Sequence, residues 1–125
     1  MYYALLIYQE EGLFESLSEI ERNDILQRHH QLQQQGKANG QFAAATKLAP
    51  ANTARTVNKD GENVTVTDGP YAETKEVLAG FYVFDCGSLE EAENYARQIP
   101  HIKAGRVEVR EVAFSDSGEL RVHTE

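Results

Sequence analysis

Cysteine is nearly absent from this sequence, and tryptophan is missing altogether. The single cysteine, Cys86, cannot form an internal disulfide, so folding does not depend on oxidation. One cysteine is too few for a cysteine-rich zinc site, and the four histidines show no metal-ligand spacing. We therefore predict no metal site, and we expect Cys86 to be a buried small side chain at the end of a strand.

Basic residues are also scarce, since 20 acidic side chains stand against 12 basic ones and the net charge is −8. A nucleic-acid-binding surface needs clustered Lys and Arg to displace counterions from phosphates, and no such cluster is present. No apolar run approaches the ~20 residues that span a bilayer. The first apolar segment, residues 2–8, lacks the basic flank of a signal peptide. These absences predict a cytoplasmic protein that binds neither nucleic acid nor membranes.

What the chain does contain is enough apolar sequence, 41%, for one core in a single domain over residues 1–125. Helix starts are marked at Ser18 and Ser88, each followed three residues later by Glu as in a capping box. An Asp-Gly pair at 60–61 marks a hairpin turn. Hydrophobic patterning predicts strands at residues 2–8, 41–48, 53–58, 63–67, 79–85 and 106–113, and helices at residues 18–35 and 88–99.

This order, β-α-β-hairpin-β-α-β, is typical of a ferredoxin-like α+β fold, βαββαβ, with an inserted hairpin. We predict that the last strand is central in the sheet. The polar residues 115–125 are expected to form a tail or a strand that contacts a partner.

The predicted strands are apolar on both faces, as Tyr3 and Leu5 alternate with Tyr2 and Leu6. A ferredoxin-like sheet carries helices on one face only, and a soluble monomer rarely leaves a large apolar patch bare. The simplest cover is a second copy packed sheet to sheet. We therefore predict a homodimer.

Residues 67–76 read Thr-Asp-Gly-Pro-Tyr-Ala-Glu-Thr-Lys-Glu. Together with the segments 2–8, 88–100 and 105–112, this motif resembles the DGPF group of the YCII-related family, with Tyr71 where the family usually has Phe. The resemblance covers nearly the whole chain and implies a dimeric α+β barrel of ferredoxin-like units. Function in this group is poorly defined. Some members are encoded beside extracytoplasmic-function sigma factors, and one distant relative is a dehydrochlorinase.

Distant relatives also carry a His and an Asp proposed as an active-site pair, and the resemblance matches that histidine to His29, eleven residues before Gly40. Helical spacing puts His29 on the buried face with Ile25 and turns His30 toward solvent. His29 is then either a satisfied core residue or a general base oriented by a carboxylate such as Asp68. The sequence leaves both interpretations open.

The Gly-Pro loop that follows Asp68 is either a stiff connector or the rim of a pocket. Tyr8 and Tyr82, both on predicted strands, either pack in the core or contact a substrate. Arg106 and Arg110 are either solvated charges or an anion-binding pair. The candidate substrate-binding residues are Tyr8, Tyr71, Glu73, Lys75 and Tyr82.

Two functions fit these residues. The first is an enzyme that needs no cofactor and uses His29 and Asp68 for proton transfer or elimination on a small cyclic or aromatic acid. The second is a non-catalytic ligand-binding or regulatory module, linked to an extracytoplasmic-function sigma factor. No P-loop, Ser-His-Asp elbow or dinucleotide fingerprint is present.

Overall fold

A computed structural model describes residues 1–100 and 105–116. Its elements are β1 (Tyr2–Glu10), α1 (Glu19–Ala38), β2 (Phe42–Lys47), β3 (Arg55–Asp60), β4 (Asn63–Asp68), β5 (Glu76–Asp85), α2 (Leu89–Arg97) and β6 (Gly105–Glu111). Within these residues no helix is both long and apolar enough to cross a bilayer. The predicted tail or partner-contacting strand lies outside the described residues from 117 onward, and residues 115 and 116 have no regular structure.

The main sheet has the strand order β2-β5-β1-β6, with antiparallel neighbours, and β3 and β4 pair separately as a hairpin. The predicted α+β class is confirmed, and this strand order is compatible with a ferredoxin-like fold. The prediction that the last strand is central is wrong for residues 1–100 and 105–116, where β6 lies at the end of the strand order. Its alternation of Val107 and Val109 with charged residues suits a strand that is only half covered.

Local capping explains where both helices begin. At α1 the Ser18 hydroxyl accepts from the Glu21 backbone N–H, and the Glu21 carboxylate accepts from the Ser18 N–H, so the predicted capping box is complete. At α2 the Ser88 hydroxyl accepts from the Glu91 N–H at 3.2 Å. The Glu91 carboxylate instead accepts from the Gln41 side chain, so only half of the second predicted box forms.

The core lies between the two helices and one face of the sheet. Phe84, fully buried at the centre, stacks on Tyr95 of α2 with ring centroids 4.2 Å apart and on Tyr82 at 5.5 Å. Gly36 of α1 lets the helix approach closely, since an added Cβ would lie 2.6 Å from the Phe84 ring. Cys86, 1% exposed, is buried as predicted.

The opposite face of the sheet, called the open face below, carries apolar residues that the described part of the chain leaves partly exposed. Strand alternation and register put five such residues there: Ala4, Leu6, Tyr8, Phe81 and Val83. Glu108 and two arginines of β6 share this face at its edge. Among the described residues, the sheet is therefore packed on one side and only partly covered on the other.

Candidate functional site

A cavity of about 560 Å³ opens between α1 and the edge strand β2. This volume is within the range of small-molecule sites. The cavity exists because β2 has small residues, Ala43 and Ala45, where a packed core strand would have larger ones. Ile25, Phe42 and Leu78 make much of the remaining wall apolar.

His29 and Tyr82 meet in the wall of this cavity. The Nδ1 atom of His29 lies 2.7 Å from the Tyr82 hydroxyl oxygen, and the two rings stack at 5.8 Å between centroids. One helical turn further along α1, the side-chain amide of Gln33 donates to the same hydroxyl at 3.4 Å. His29 is thus half-buried on the inner face of α1, as its spacing predicts, while His30 is exposed.

The surroundings of Tyr82 control its ionisation. Burial raises the pKa of the Tyr82 phenol above its usual value of 10.0, and the hydrogen bond from Gln33 opposes this only in part. The phenol therefore stays protonated at neutral pH and is available as a hydrogen-bond donor.

The positively charged side chain of Lys47 lies at the rim of the cavity. The Lys47 ammonium lies 3.7 Å from the centroid of the Phe14 ring, a cation–π contact. Within residues 1–100 and 105–116, no carboxylate lies within 4.0 Å of it. Three exposed glutamates also line the cavity, so the charged side chains around Lys47 at the rim are acidic. They are Glu10, Glu11 and Glu15.

Neither Lys47 nor Phe14 is among the site residues predicted from the sequence. Phe14 lies in the β1–α1 loop and Lys47 is the last residue of β2, so no local pattern joins them. The available signal was the run of three alanines before Thr46 and Lys47, which marks a strand too small to fill a core.

Asp68, the predicted partner of His29, lies outside the His29 cavity. It ends β4, its side chain is 91% exposed, and its carboxylate is 3.5 Å from Arg55 Nε. It lines a second, smaller depression together with Glu73, whereas the His29 cavity has neither residue in its wall. The structure therefore brings His29 together with Tyr82, and it puts the predicted partner carboxylate at a different depression.

The other predicted substrate-binding residues also lie outside the His29 cavity. Tyr71 is 90% exposed and Lys75 is exposed, both in the loop between β4 and β5, and Tyr8 lies on the open face. Arg106 pairs with Glu76 at 3.3 Å and Arg110 pairs with its neighbour Glu108, so each guanidinium already has a carboxylate.

The loop after Asp68 is hydrogen-bonded to the start of β3. Gly69 has φ of 94°, a backbone conformation that favours glycine, and its N–H donates to the Ala54 carbonyl at 2.8 Å. Its own carbonyl accepts from the Thr56 hydroxyl at 2.8 Å. Gly69, in the motif that carries the family resemblance, therefore links the end of β4 to the start of β3 at the base of the hairpin.

No three His, Cys, Asp or Glu side chains in residues 1–100 and 105–116 come together in a way that could hold a metal ion. The cavity's polar groups are instead suited to hydrogen bonding, proton transfer and contact with an anion.

Comparison with known proteins identifies the family of this chain. The YCII-related domain matches residues 1–114. An uncharacterised protein of Rhizobium meliloti is 35% identical over 122 residues, which cover 96% of this chain and 98% of that protein. The chain therefore belongs to the YCII-related domain family, whose function is not defined by either match.

Proposed function

We propose that the cavity beside α1 binds a small cyclic or aromatic acid, and that His29 and Tyr82 together catalyse proton transfer on it without a cofactor. The observation that carries this proposal is the 2.7 Å contact between His29 Nδ1 and the Tyr82 hydroxyl in the cavity wall. A histidine oriented through one ring nitrogen can exchange a proton at the other near neutral pH.

The roles of the two side chains follow from their hydrogen bonds. When Nδ1 is protonated it donates to the Tyr82 oxygen, and Nε2 is then the proton acceptor. Gln33 also donates to that oxygen, which leaves the phenol proton of Tyr82 to be donated to a bound ligand. In an elimination, Nε2 takes a proton from carbon, the C–H electron pair forms a double bond, and the leaving group departs with its own electron pair.

The apolar wall and Lys47 support the ligand class. A planar ring suits a cavity lined by aliphatic and aromatic carbon, and such sites take their orientation from a few polar groups. The Lys47 ammonium lies at the rim, where it can pair with the ligand's carboxylate. The three glutamates at the rim work against an anion, so this ion pair is central to the proposed affinity.

The test compares His29→Ala with His30→Ala, a matched control one residue away whose side chain is exposed on the same helix. Thermal shift against a panel of small aromatic and cyclic acids identifies ligands, because a ligand at 100 times its Kd adds about 2.7 kcal/mol of stability. Each ligand is then incubated in D2O, and loss of its acidic C–H signal is followed by NMR. We expect exchange with wild type and His30→Ala, and none with His29→Ala.

Three outcomes discriminate between functions. Exchange that requires His29 supports catalysis. Binding that is lost in His29→Ala without any exchange would replace the enzyme by a ligand-binding module. Absence of binding by every acid on the panel would overturn the cavity as a site for this ligand class.

We also propose that a second copy of the chain covers the open face, giving a homodimer. The support is the partly exposed apolar set on that face, with Leu6, Phe81 and Val83 at its centre. Light scattering on micromolar protein tests it: a mass near twice 14.0 kDa is expected, and a 14.0 kDa particle would overturn it.

A further inference from the structure

The C-terminal end of α1 carries Asn39 and Gly40, the one Asn-Gly pair in the sequence. In such a pair the backbone nitrogen of glycine attacks the side-chain amide carbon of asparagine readily, because glycine has no side chain to hinder the approach. Both residues are exposed, so water can reach them. This helix end therefore combines a reactive dipeptide with access to solvent.

The geometry of the helix end explains why glycine follows Asn39. Gly40 has φ of 71°, the left-handed conformation that favours glycine just after a helix. Its N–H donates to the Lys37 carbonyl at 3.1 Å, and the Gln41 N–H donates to the Gly36 carbonyl at 2.8 Å. These two hydrogen bonds form a Schellman motif, which satisfies carbonyl groups of the last turn of α1. The reactive dipeptide is thus part of the cap.

The Asn39 side chain begins a series of hydrogen bonds between α1 and α2. Its amide donates to the Tyr95 hydroxyl at 3.1 Å, and that hydroxyl donates to the side-chain carbonyl of Gln41. The Gln41 amide in turn donates to the Glu91 carboxylate. Tyr95 is 4% exposed, and its ring stacks on Phe84 in the core. Every donor in this series points from Asn39 toward Glu91, so its direction depends on an amide at position 39.

We propose that Asn39 is a deamidation site that the folded cap protects, and that deamidation weakens the contact between α1 and α2. This inference is independent of the chemistry proposed at His29 and of the homodimer. In the reaction the Gly40 nitrogen bonds to Asn39 Cγ, and the side-chain nitrogen leaves as ammonia with the proton from Gly40. Water then opens the cyclic imide at either carbonyl, which leaves aspartate or isoaspartate at position 39.

Both reacting groups are held in other hydrogen bonds in the folded chain. The Gly40 N–H is bonded to the Lys37 carbonyl, and the Asn39 amide is bonded to the Tyr95 hydroxyl. The ψ of −4° at Asn39 also turns the Gly40 nitrogen away from Cβ, whereas the imide ring needs it beside Cβ. The cap must therefore open before the reaction, and the rate follows the population of the open form.

The product does not fit the hydrogen bonds that Asn39 makes. A carboxylate has no proton to donate to Tyr95, and the single Tyr95 proton cannot serve both the new carboxylate and Gln41. The added negative charge also lies at the negative end of the α1 dipole, beside a network that already includes the Glu91 carboxylate. Isoaspartate in addition lengthens the main chain within the cap. Deamidation should therefore loosen α1 from α2.

The first test measures the rate of deamidation by mass spectrometry of the tryptic fragment of residues 38–47. We expect the folded chain to react at least about tenfold more slowly than the chain in urea, because only its open fraction reacts. Tyr95→Phe keeps the stacked ring but loses the hydroxyl, so its folded-state rate should rise about threefold to tenfold. Tyr71→Phe removes an exposed hydroxyl in the β4–β5 loop and should stay within about twofold of wild type. Circular dichroism confirms that both variants are folded.

The second test measures the effect of the product. Urea denaturation compares Asn39→Asp with Asn23→Asp, which adds the same charge at an exposed asparagine near the start of the same helix. We expect a lower midpoint for Asn39→Asp alone, because only its charge faces the C-terminal end of α1.

Each part of the proposal has an outcome that would overturn it. Asn39 that stays intact in urea would remove the deamidation site. Equal rates in folded and unfolded wild type, or an unchanged rate in Tyr95→Phe, would show that the cap does not protect it. Equal midpoints for Asn39→Asp and Asn23→Asp would show that the product does not weaken the helix contact. None of these results depends on whether His29 transfers a proton.

Discussion

Two concave regions of the described chain differ in the elements that form them and in the burial of their polar side chains. The cavity beside α1 is enclosed by a helix and two strands, and it contains a half-buried His29 against a buried Tyr82. The depression at the Gly69-Pro70 loop is smaller, and its Asp68 is almost fully exposed and paired with Arg55. The family motif therefore lies at the depression whose acidic residue is exposed, and the half-buried His29–Tyr82 pair lies outside the motif.

The largest expected effect is on stability. It compares the core residue Phe84, behind the cavity, with the exposed residue Tyr71 in the β4–β5 loop. Phe84→Ala removes the ring that stacks on both Tyr82 and Tyr95, and should cost about 3–5 kcal/mol. Tyr71→Ala, at a residue 90% exposed, should change stability by less than about 0.5 kcal/mol. Urea denaturation of both variants checks this, and similar midpoints would contradict the contrast.

The second prediction separates the two residues first considered as a pair. His29→Gln should slow the proposed C–H exchange by about 10²–10⁴-fold, because it removes the acid–base group. Asp68→Asn should leave exchange within about twofold, since that carboxylate lines the other depression. The exchange assay in D2O measures both. An equal loss in Asp68→Asn would mean that the loop acts on the cavity.

The third prediction concerns the charge of the ligand. Lys47→Gln should weaken binding of an aromatic acid about tenfold, because the ion pair at the rim is lost while the side-chain length is nearly kept. The matching amide should bind wild type and variant equally. Calorimetric titration of acid and amide gives the four dissociation constants. An equal loss for acid and amide would assign Lys47 a packing role instead.

The smallest effect expected is a pH dependence from Tyr82. Its pKa is raised in the folded state by burial, so the folded protein holds this proton more tightly than the unfolded chain. The linked stability is fully present below the unfolded pKa of about 10 and is lost as pH rises from there through the folded pKa. Between pH 9 and 11, Tyr82→Phe should therefore lose less stability than wild type, by urea denaturation. An identical slope for both proteins would show that Tyr82 does not titrate differently on folding.

Much of the fold could be predicted because its signals are local. Ser18 and Glu21 are three residues apart and form their capping box within one turn, and Gly61 takes φ of 60° in the hairpin turn where the Asp-Gly pair predicts it. The edge position of β6 could not be read in the same way, since alternation describes the faces of a strand and leaves its neighbours unspecified.

The candidate site was only half predictable for the same reason. Helical spacing was enough to put His29 on the inner face of α1. Its contact with Tyr82, 53 residues away, depends on how α1 lies across the register of β1 and β5. The volume of the cavity depends on the space between α1 and Ala45 of β2. That distance cannot be read from a single sequence.

The sequence by itself determined the elements, their caps, the inward direction of His29 and the membership of Cys86 in the core, because these depend on residues within a turn or a strand of one another. Only the tertiary structure decided that His29 meets Tyr82, that Lys47 contacts Phe14, and that Asp68 pairs with Arg55. Those contacts join separate elements, and their distances are set by strand order and helix placement, which are properties of the whole packed chain.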